Sequence, residues 1–296
     1  MLGLLLINKP QGITSFGAVA RVKHLTGEKR VGHTGTLDPM ATGVLPILIG
    51  RATVLSQYLI DANKCYSATL KLGVVTDTCD ITGNVTAQND VQVDSSTLKD
   101  VLSRFEGKQM QVPPIYSAIK QNGVRMYELA RRGQTAEIPA REIEVFSINQ
   151  TSDLNCRNEF DIDCTVSKGT YIRSLCRDIG ETLGCGATLT KLCRTKTAGF
   201  EFSQCVDLDD LTPENISEFI LPCDMAVEYM PKIQVSEKQA VRFCNGGELS
   251  LERIKTDAFC DGMCYRVYSN EKFLGLGIAY TQKQILKVAC LIKVNR

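Results

Sequence analysis

The sequence predicts an α+β protein in two parts, a mixed domain over residues 1–228 and a small β-rich domain over 229–296. Three observations predict it. At 296 residues the chain is long for one compact core. Helix-period and strand-period segments are interspersed through its first two thirds. An acidic stretch, 205–228, then reads as a connector, and short strand-like runs follow it.

The elements follow in order. The opening LGLLLINKP reads as a short buried strand stopped by Pro10. Ser15 can cap a helix whose apolar face includes Phe16, Val19 and Ala20 and which ends near Gly27. From Gly32 to Gly43 no helix or strand period exists, so a structured loop is expected. Residues 64–73 alternate, with Tyr66, Ala68, Leu70 and Leu72 on one face of a strand. Residues 95–106 read as a helix, because Leu98, Val101, Leu102 and Phe105 fall at i, i+3, i+4 and i+7 before Gly107.

Further on, VRMYELARRG suggests a helix stopped by Gly133. Phe160, Ile162, Cys164 and Val166 alternate as a strand, and Thr170 can cap a helix striped by Ile172, Leu175, Ile179 and Leu183. Near the end, CYRVYS and FLGLGIAY read as strands joined at the turn residue Asn270.

Composition narrows the class. Hydrophobic residues at 44% and charged residues at 23% are ordinary for a globular protein and exclude a disordered chain. LGLLLIN and GVLPILIG are too short to span a bilayer, and the N-terminus lacks a secretory pattern, so a cytoplasmic protein is expected. Thirteen cysteines, an odd number with no CxxC pair, read as reduced thiols in mostly buried positions. With only His24 and His33 beside them, a structural zinc site is not expected.

The net charge of +1 argues against a nucleic-acid binder, but the distribution argues for one. Residues 164–200 carry six Lys/Arg against two acids, and 8–51 carry the same ratio, whereas 205–228 hold seven acids and no Lys/Arg. Such asymmetry can gather positive potential on one face. The same charges could equally solvate scattered surfaces.

Asp38 is the leading candidate for chemistry. Around it, Gly32, Gly35 and Gly43 permit close backbone approaches, Pro39 stiffens the chain, and Thr34, Thr36 and Thr42 can fix the loop internally. A rigid loop presenting one carboxylate suits a nucleophile or a base; a solvated surface acid is the bland alternative. Arg173 lies in the first turn of its helix, where the helix dipole opposes a cation. It makes sense if it meets a carboxylate or a phosphate, or else as an exposed arginine tolerating a small penalty. Tyr66 is either core or an aromatic platform for an unstacked base. His33 could contact a nucleic-acid backbone or stack. No GxxxxGK[ST], helix-opening GxGxxG or GxSxG is present, which sets aside P-loop, Rossmann and serine-elbow enzymes.

These residues resemble a known family. GHTGTLDPMATGVLPI resembles the catalytic-loop motif of pseudouridine synthases of the TruB family. LLINKPQGITSF, KCYSATLKLGVVTDTCDITG, PPIYSAIKQNGVRMYELARRG and VSKGTYIRSLCRDIGETLG resemble its other motifs in the family's order. Together they cover most of residues 4–200, while 230–296 look like the family's small PUA-type RNA-binding domain.

The resemblance implies a mainly antiparallel sheet of pseudouridine synthase type, with a PUA-like domain after it. It implies that Asp38 is the catalytic aspartate, Tyr66 the base-stacking tyrosine, and Arg173 the arginine that holds that carboxylate ionised and oriented. His33, Tyr171 and Leu192 match positions lining a flipped-uridine pocket. Lys9, with Pro10, matches a motif supporting the loop and is counted with the substrate-binding positions. The implied reaction isomerises uridine 55 in the T-arm of tRNA, with no cofactor and no metal. The implied enzyme is a stand-alone monomer that needs neither guide RNA nor membrane. Two other readings compete: an RNA-binding or tRNA-folding module with a vestigial loop, and a guide-RNA-dependent synthase of the dyskerin group. A carboxylate hydrolase would need a second placed acid or a metal, and the sequence reveals neither.

Overall fold

The computed structural model describes residues 1–59, 63–115, 138–256 and 258–292, together with the strand backbone at 120–121 and 124–125. The first strand, β1 (Gly3–Lys9), is buried almost throughout. It leads into α1 (Ser15–Thr26), the short β2 (Val31–His33) and β3 (Thr42–Ile49). A 3-10 turn (Gly50–Leu55) and α2 (Ser56–Leu59) precede β4 (Lys64–Leu72). A small ribbon of β5 (Val74–Thr76) and β6 (Val85–Gln88) comes next, then α3 (Ser95–Arg104) and β7 (Gly107–Gln111). Two short strands, β8 (Lys120–Gln121) and β9 (Val124–Arg125), pair with each other. The long strands β10 (Arg141–Gln150) and β11 (Glu159–Val166), then α4 (Ile172–Thr182) and β12 (Ala187–Thr197), complete the site-bearing part.

One large sheet runs in the order β14-β1-β3-β12-β4-β11-β10-β7, with β2 added on β3 and β13 (Phe200–Glu201) on β12. The edge strand β14 (Val206–Asp207) and the β12–β3 pair are parallel; the other pairings are antiparallel, as the α+β expectation required. β4 sits between β12 and β11 and buries Tyr66, Ala68, Leu70 and Leu72 on the face covered by α1, α3 and α4. That face carries the main core. On α3, Leu98, Val101, Leu102 and Phe105 are all buried, as their spacing predicts.

β12 is irregular in a way that matters. Its register against β4 slips at Leu189/Lys191 and again at Arg194/Lys196. The extra residue Thr190 reverses the alternation, so Leu189 and Leu192 both point into the core face.

Four expectations need correction. α1 is capped by Thr14, whose hydroxyl accepts from Gly17 N at 2.9 Å, and not by Ser15. Its buried face is Ser15, Ala18, Val19 and Val22, while Phe16 is 72% exposed and Ala20 is exposed too. The Gly32–Gly43 loop is shorter than expected, because β2 claims its first residues and β3 its last. Thr170 does not cap α4; Tyr171 occupies the N-cap position without a side-chain bond. Finally, 205–228 is not a free connector. β14 pairs with β1, Leu208, Leu211 and Ile216 enter the main core, and Leu221 exchanges two backbone hydrogen bonds with Leu4. The helix expected at VRMYELARRG lies outside the described residues.

After residue 231 the chain forms a second sheet in the order β15-β17-β18-β19-β16. Its strands are β15 (Lys232–Gln234), β16 (Leu249–Ser250), β17 (Cys264–Ser269), β18 (Lys272–Tyr280) and β19 (Ile285–Leu291). Helix α5 (Glu237–Cys244) packs on it, with Phe243 fully buried in a small local core. The β17–β18 turn places Asn270 and Glu271 at positive φ. Tyr268, Phe273, Leu276 and Ile292 pack instead against Leu4, Leu6, Val44 and Leu48, so the back of the large sheet is covered by this part. Among the described residues no helix is long and apolar enough to cross a membrane. All thirteen cysteines are free thiols.

Candidate active site

The loop between β2 and β3 is held from three directions. The Ser15 hydroxyl accepts from Leu37 N at 2.8 Å and donates to Leu37 O at 3.1 Å. Lys9, fully buried, spreads its Nζ over the carbonyls of Pro10 and Ile13 (both 2.8 Å) and Pro39 (3.4 Å). Gly12 N donates to Pro39 O as well, at 2.8 Å. These bonds fix the two residues flanking Asp38 and leave its carboxylate to be aimed by what it faces.

It faces Arg173. Nε of Arg173 lies 2.8 Å from Asp38 Oδ2 in an ion-pair contact, and Nη2 donates to Oδ1 at 3.1 Å. The arginine that the helix dipole disfavours has therefore found its anion, and its side chain is buried. A second carboxylate, absent from the sequence reading, joins it: Asp80 Oδ2 is 3.5 Å from Arg173 Nη1. Asp80 is 4% exposed and its Oδ1 accepts from the Thr78 hydroxyl and from Thr82 N and its hydroxyl, at 3.0, 2.9 and 2.5 Å. Arg173 Nη1 also donates to Thr78 O at 3.3 Å.

Asp38 opens on a cavity with 32% of its side chain exposed, yet dense protein surrounds the carboxylate. Burial raises its pKa above the ordinary carboxylate value, Arg173 opposes the rise, and Asp80 adds to it. Arg173 thus orients the carboxylate and favours its ionised form, but burial outweighs the ion pair and the net shift is upward.

The cavity wall brings together Asp38, Tyr66, Tyr171, Arg173, Leu192 and Arg194. Tyr66 is 7% exposed, and burial raises its phenol pKa. Leu192 lies beside it across the β4–β12 pairing, opposite Ala68. Tyr171 is placed by Gln111, a buried side chain that donates to Tyr171 O at 3.1 Å and accepts from Tyr171 N at 2.8 Å. A face for a flat apolar ring and one oriented carboxylate therefore share a single cavity.

His33 and Lys9 are not part of that wall. His33 Nδ1 accepts from Gly35 N at 3.3 Å, and burial followed by the Arg194 charge lowers its pKa. Its ring braces the loop through that bond. Lys9 stands beneath the loop as an anchor.

Sequence reasoning missed Asp80, Gln111 and Arg194. Asp80 carried a weak signal, the second of two acids, after Asp77, within a threonine-rich run, TDTCDIT. Arg194 carried another, an arginine beside Leu192 and Cys193 in a strand-like segment. Among the described residues no cluster of His, Cys, Asp or Glu could hold a metal ion.

Three family descriptions match the chain. "TruB family pseudouridylate synthase (N terminal domain)" covers residues 23–172, "tRNA pseudouridylate synthase B C-terminal domain" 173–228, and "Pseudouridine synthase II TruB, C-terminal" 231–285. The tRNA pseudouridine synthase B of Clostridium acetobutylicum is 44% identical over 276 residues, 93% of this chain and 94% of that protein. A protein of the same name from Chromobacterium violaceum is 40% identical over 94% of this chain and 90% of its own length. Among solved structures, one of a Cbf5-Nop10-Gar1 complex matches with a TM-score of 0.74 and 26% identity, over 99% of this chain and 84% of that one.

Proposed function

The chain belongs to the TruB family of pseudouridylate synthases, and we propose that it isomerises uridine 55 in the T-arm of tRNA, acting alone on a flipped-out base. It is an isomerase that makes pseudouridine in tRNA. The observation that carries the finer reading is the cavity itself. A carboxylate aimed by a buried arginine stands beside the Tyr66 ring and Leu192 in a site with room for an inserted base.

In this reading the uridine leaves its stack, at a cost of a few kcal/mol, and is held between Tyr66 and Leu192. The N-glycosidic bond from N1 to the ribose breaks, the uracil turns, and carbon 5 joins the same ribose carbon; carbon 5 gives up its proton and N1 takes one up, so product and substrate have the same atoms. No electron or group passes to an outside carrier. Asp38, in its ionised form, is the group that attacks or takes a proton, and Arg173 fixes its direction. Residues 229–296, read as a PUA-like RNA-binding domain, add contacts to the tRNA outside the cavity.

A guide-RNA-dependent reading draws on the likeness to the Cbf5-Nop10-Gar1 complex. The stand-alone reading draws on relatives that are considerably closer in sequence and span nearly the whole chain. Incubation of the purified protein with an unmodified tRNA transcript, followed by mapping of pseudouridine, separates them. Product at position 55 without guide RNA is expected. D38N should bind the transcript and form none; substantial residual turnover would remove Asp38 from the reaction.

A further inference from the structure

Arg194 heads the fully buried side chains by volume, at 1% exposure. Among the described residues no carboxylate lies within ion-pair distance of it. A buried cation without an anion is costly, and its place here calls for a use.

Its contacts show where that use lies. Nε donates to Val44 O at 2.8 Å and Nη2 to Gly35 O at 3.1 Å, tying β12 to β3 and to the loop three residues before Asp38. Arg194 and Tyr66 are direct partners across the β12–β4 pairing, and both line the cavity. The charge draws the Tyr66 phenol pKa down against its burial, so the two groups interact. Only a planar, forked cation can satisfy two carbonyls from different segments and still face a phenol.

We propose that Arg194 is a positioning residue for the isomerisation, holding the Tyr66 phenol and the Gly35 end of the catalytic loop in register around the entering base. The proposal rests on reading the cavity as the uridine site. Arg194 acts through Tyr66 and the loop, so its loss reduces the rate of the bound complex more than the affinity for tRNA.

The test is a double-variant cycle of R194Q and Y66F, with R194K beside it, measured by single-turnover pseudouridine formation and tRNA binding. R194Q should slow the bound reaction about 10- to 100-fold, the range for losing hydrogen bonds from a charged group. Affinity should stay within about threefold and R194K should recover part of the rate. The Y66F,R194Q pair should be no more than about twofold slower than Y66F alone, because the two changes break one unit. Losses that multiply, an R194Q rate within about twofold of the parent, or an R194K no faster than R194Q would each overturn the assignment. If R194Q loses its thermal unfolding transition, the same cycle is run with R194K in its place. Substantial turnover by D38N would instead sink the reading of the cavity on which this role rests, an outcome separate from those of the Arg194 variants.

Discussion

Asp80 meets Arg173 through Nη1 at 3.5 Å, a different nitrogen from those that meet Asp38. The guanidinium is therefore shared between a fixed carboxylate and a working one. Three hydrogen bonds from Thr78 and Thr82 hold Asp80, so it can hold Arg173 in turn. D80N should slow single-turnover pseudouridine formation about 10- to 100-fold, since a charge-assisted contact to a buried guanidinium is lost. Because Asp80 helps to raise the Asp38 pKa, the acid limb of the rate should also move to lower pH in D80N. An unchanged rate and limb would show that Asp80 is merely structural.

The pH dependence of the parent follows from Asp38. Burial favours its neutral form and raises the pKa, while the reaction requires the ionised form. Single-turnover rates should therefore fall on acidification at a pH above the ordinary aspartate value of about 3.9. The linked stability effect has the opposite sense. Folded Asp38 binds its proton more tightly than in the unfolded chain, so its contribution is lost as pH rises from the ordinary value through the raised one. The unfolding free energy of D38N relative to the parent should grow over that window. Denaturant titrations of both proteins across it would reveal a constant difference if Asp38 were solvated.

Local features made Asp38 and Arg173 candidates, a Gly/Thr loop and a cation at the wrong end of a helix, whereas Tyr66 read as core as readily as a platform; only the family resemblance singled out all three. What was not legible depends on register. Arg194 reaches the site because the Thr190 bulge reverses the alternation of β12, an event that a two-residue period cannot register. Asp80 arrives through a bridge to Leu189, more than a hundred residues away in sequence. The part of β14 and Leu221 was hidden likewise, since seven acids read as solvent-facing until Val206 is paired with Ile7. Ser15 shows a subtler limit: the hydroxyl that could cap its own helix is used on Leu37, and Thr14 takes the cap.

Lys9 gives a prediction about the loop. K9M keeps the volume but leaves the carbonyls of Pro10, Ile13 and Pro39 without their donor. Loss of stability of about 1–3 kcal/mol is expected in urea unfolding, with a slower reaction because Pro39 follows Asp38 directly. Burial lowers the Lys9 pKa to about 8, against the pull of Asp38 in the other direction. Above that pH the folded lysine gives up its proton while the unfolded one keeps it to about 10.4. The parent's advantage over K9M should then widen as pH rises through this window; a constant gap would mean that Lys9 stays charged.

Gly43 tests whether the close approach of β3 to β12 is required. Its φ is +106°, and a Cβ there would stand 2.3 Å from Arg194 O and 2.6 Å from Arg194 N. Both atoms are backbone, so no rotamer change can relieve the overlap; one strand must move. G43A should therefore cost more than the 1–3 kcal/mol usual for backbone strain alone. If β12 moves, Arg194 moves with it; if β3 moves, the bond from Gly43 N to Asn8 Oδ1, 3.0 Å, loosens. Activity should accordingly fall further than stability explains, measured at a temperature where G43A is still folded. Serine at the same position would overlap equally, whereas full activity in either variant would show that β3 and β12 can separate without disturbing the loop between Gly35 and Asp38.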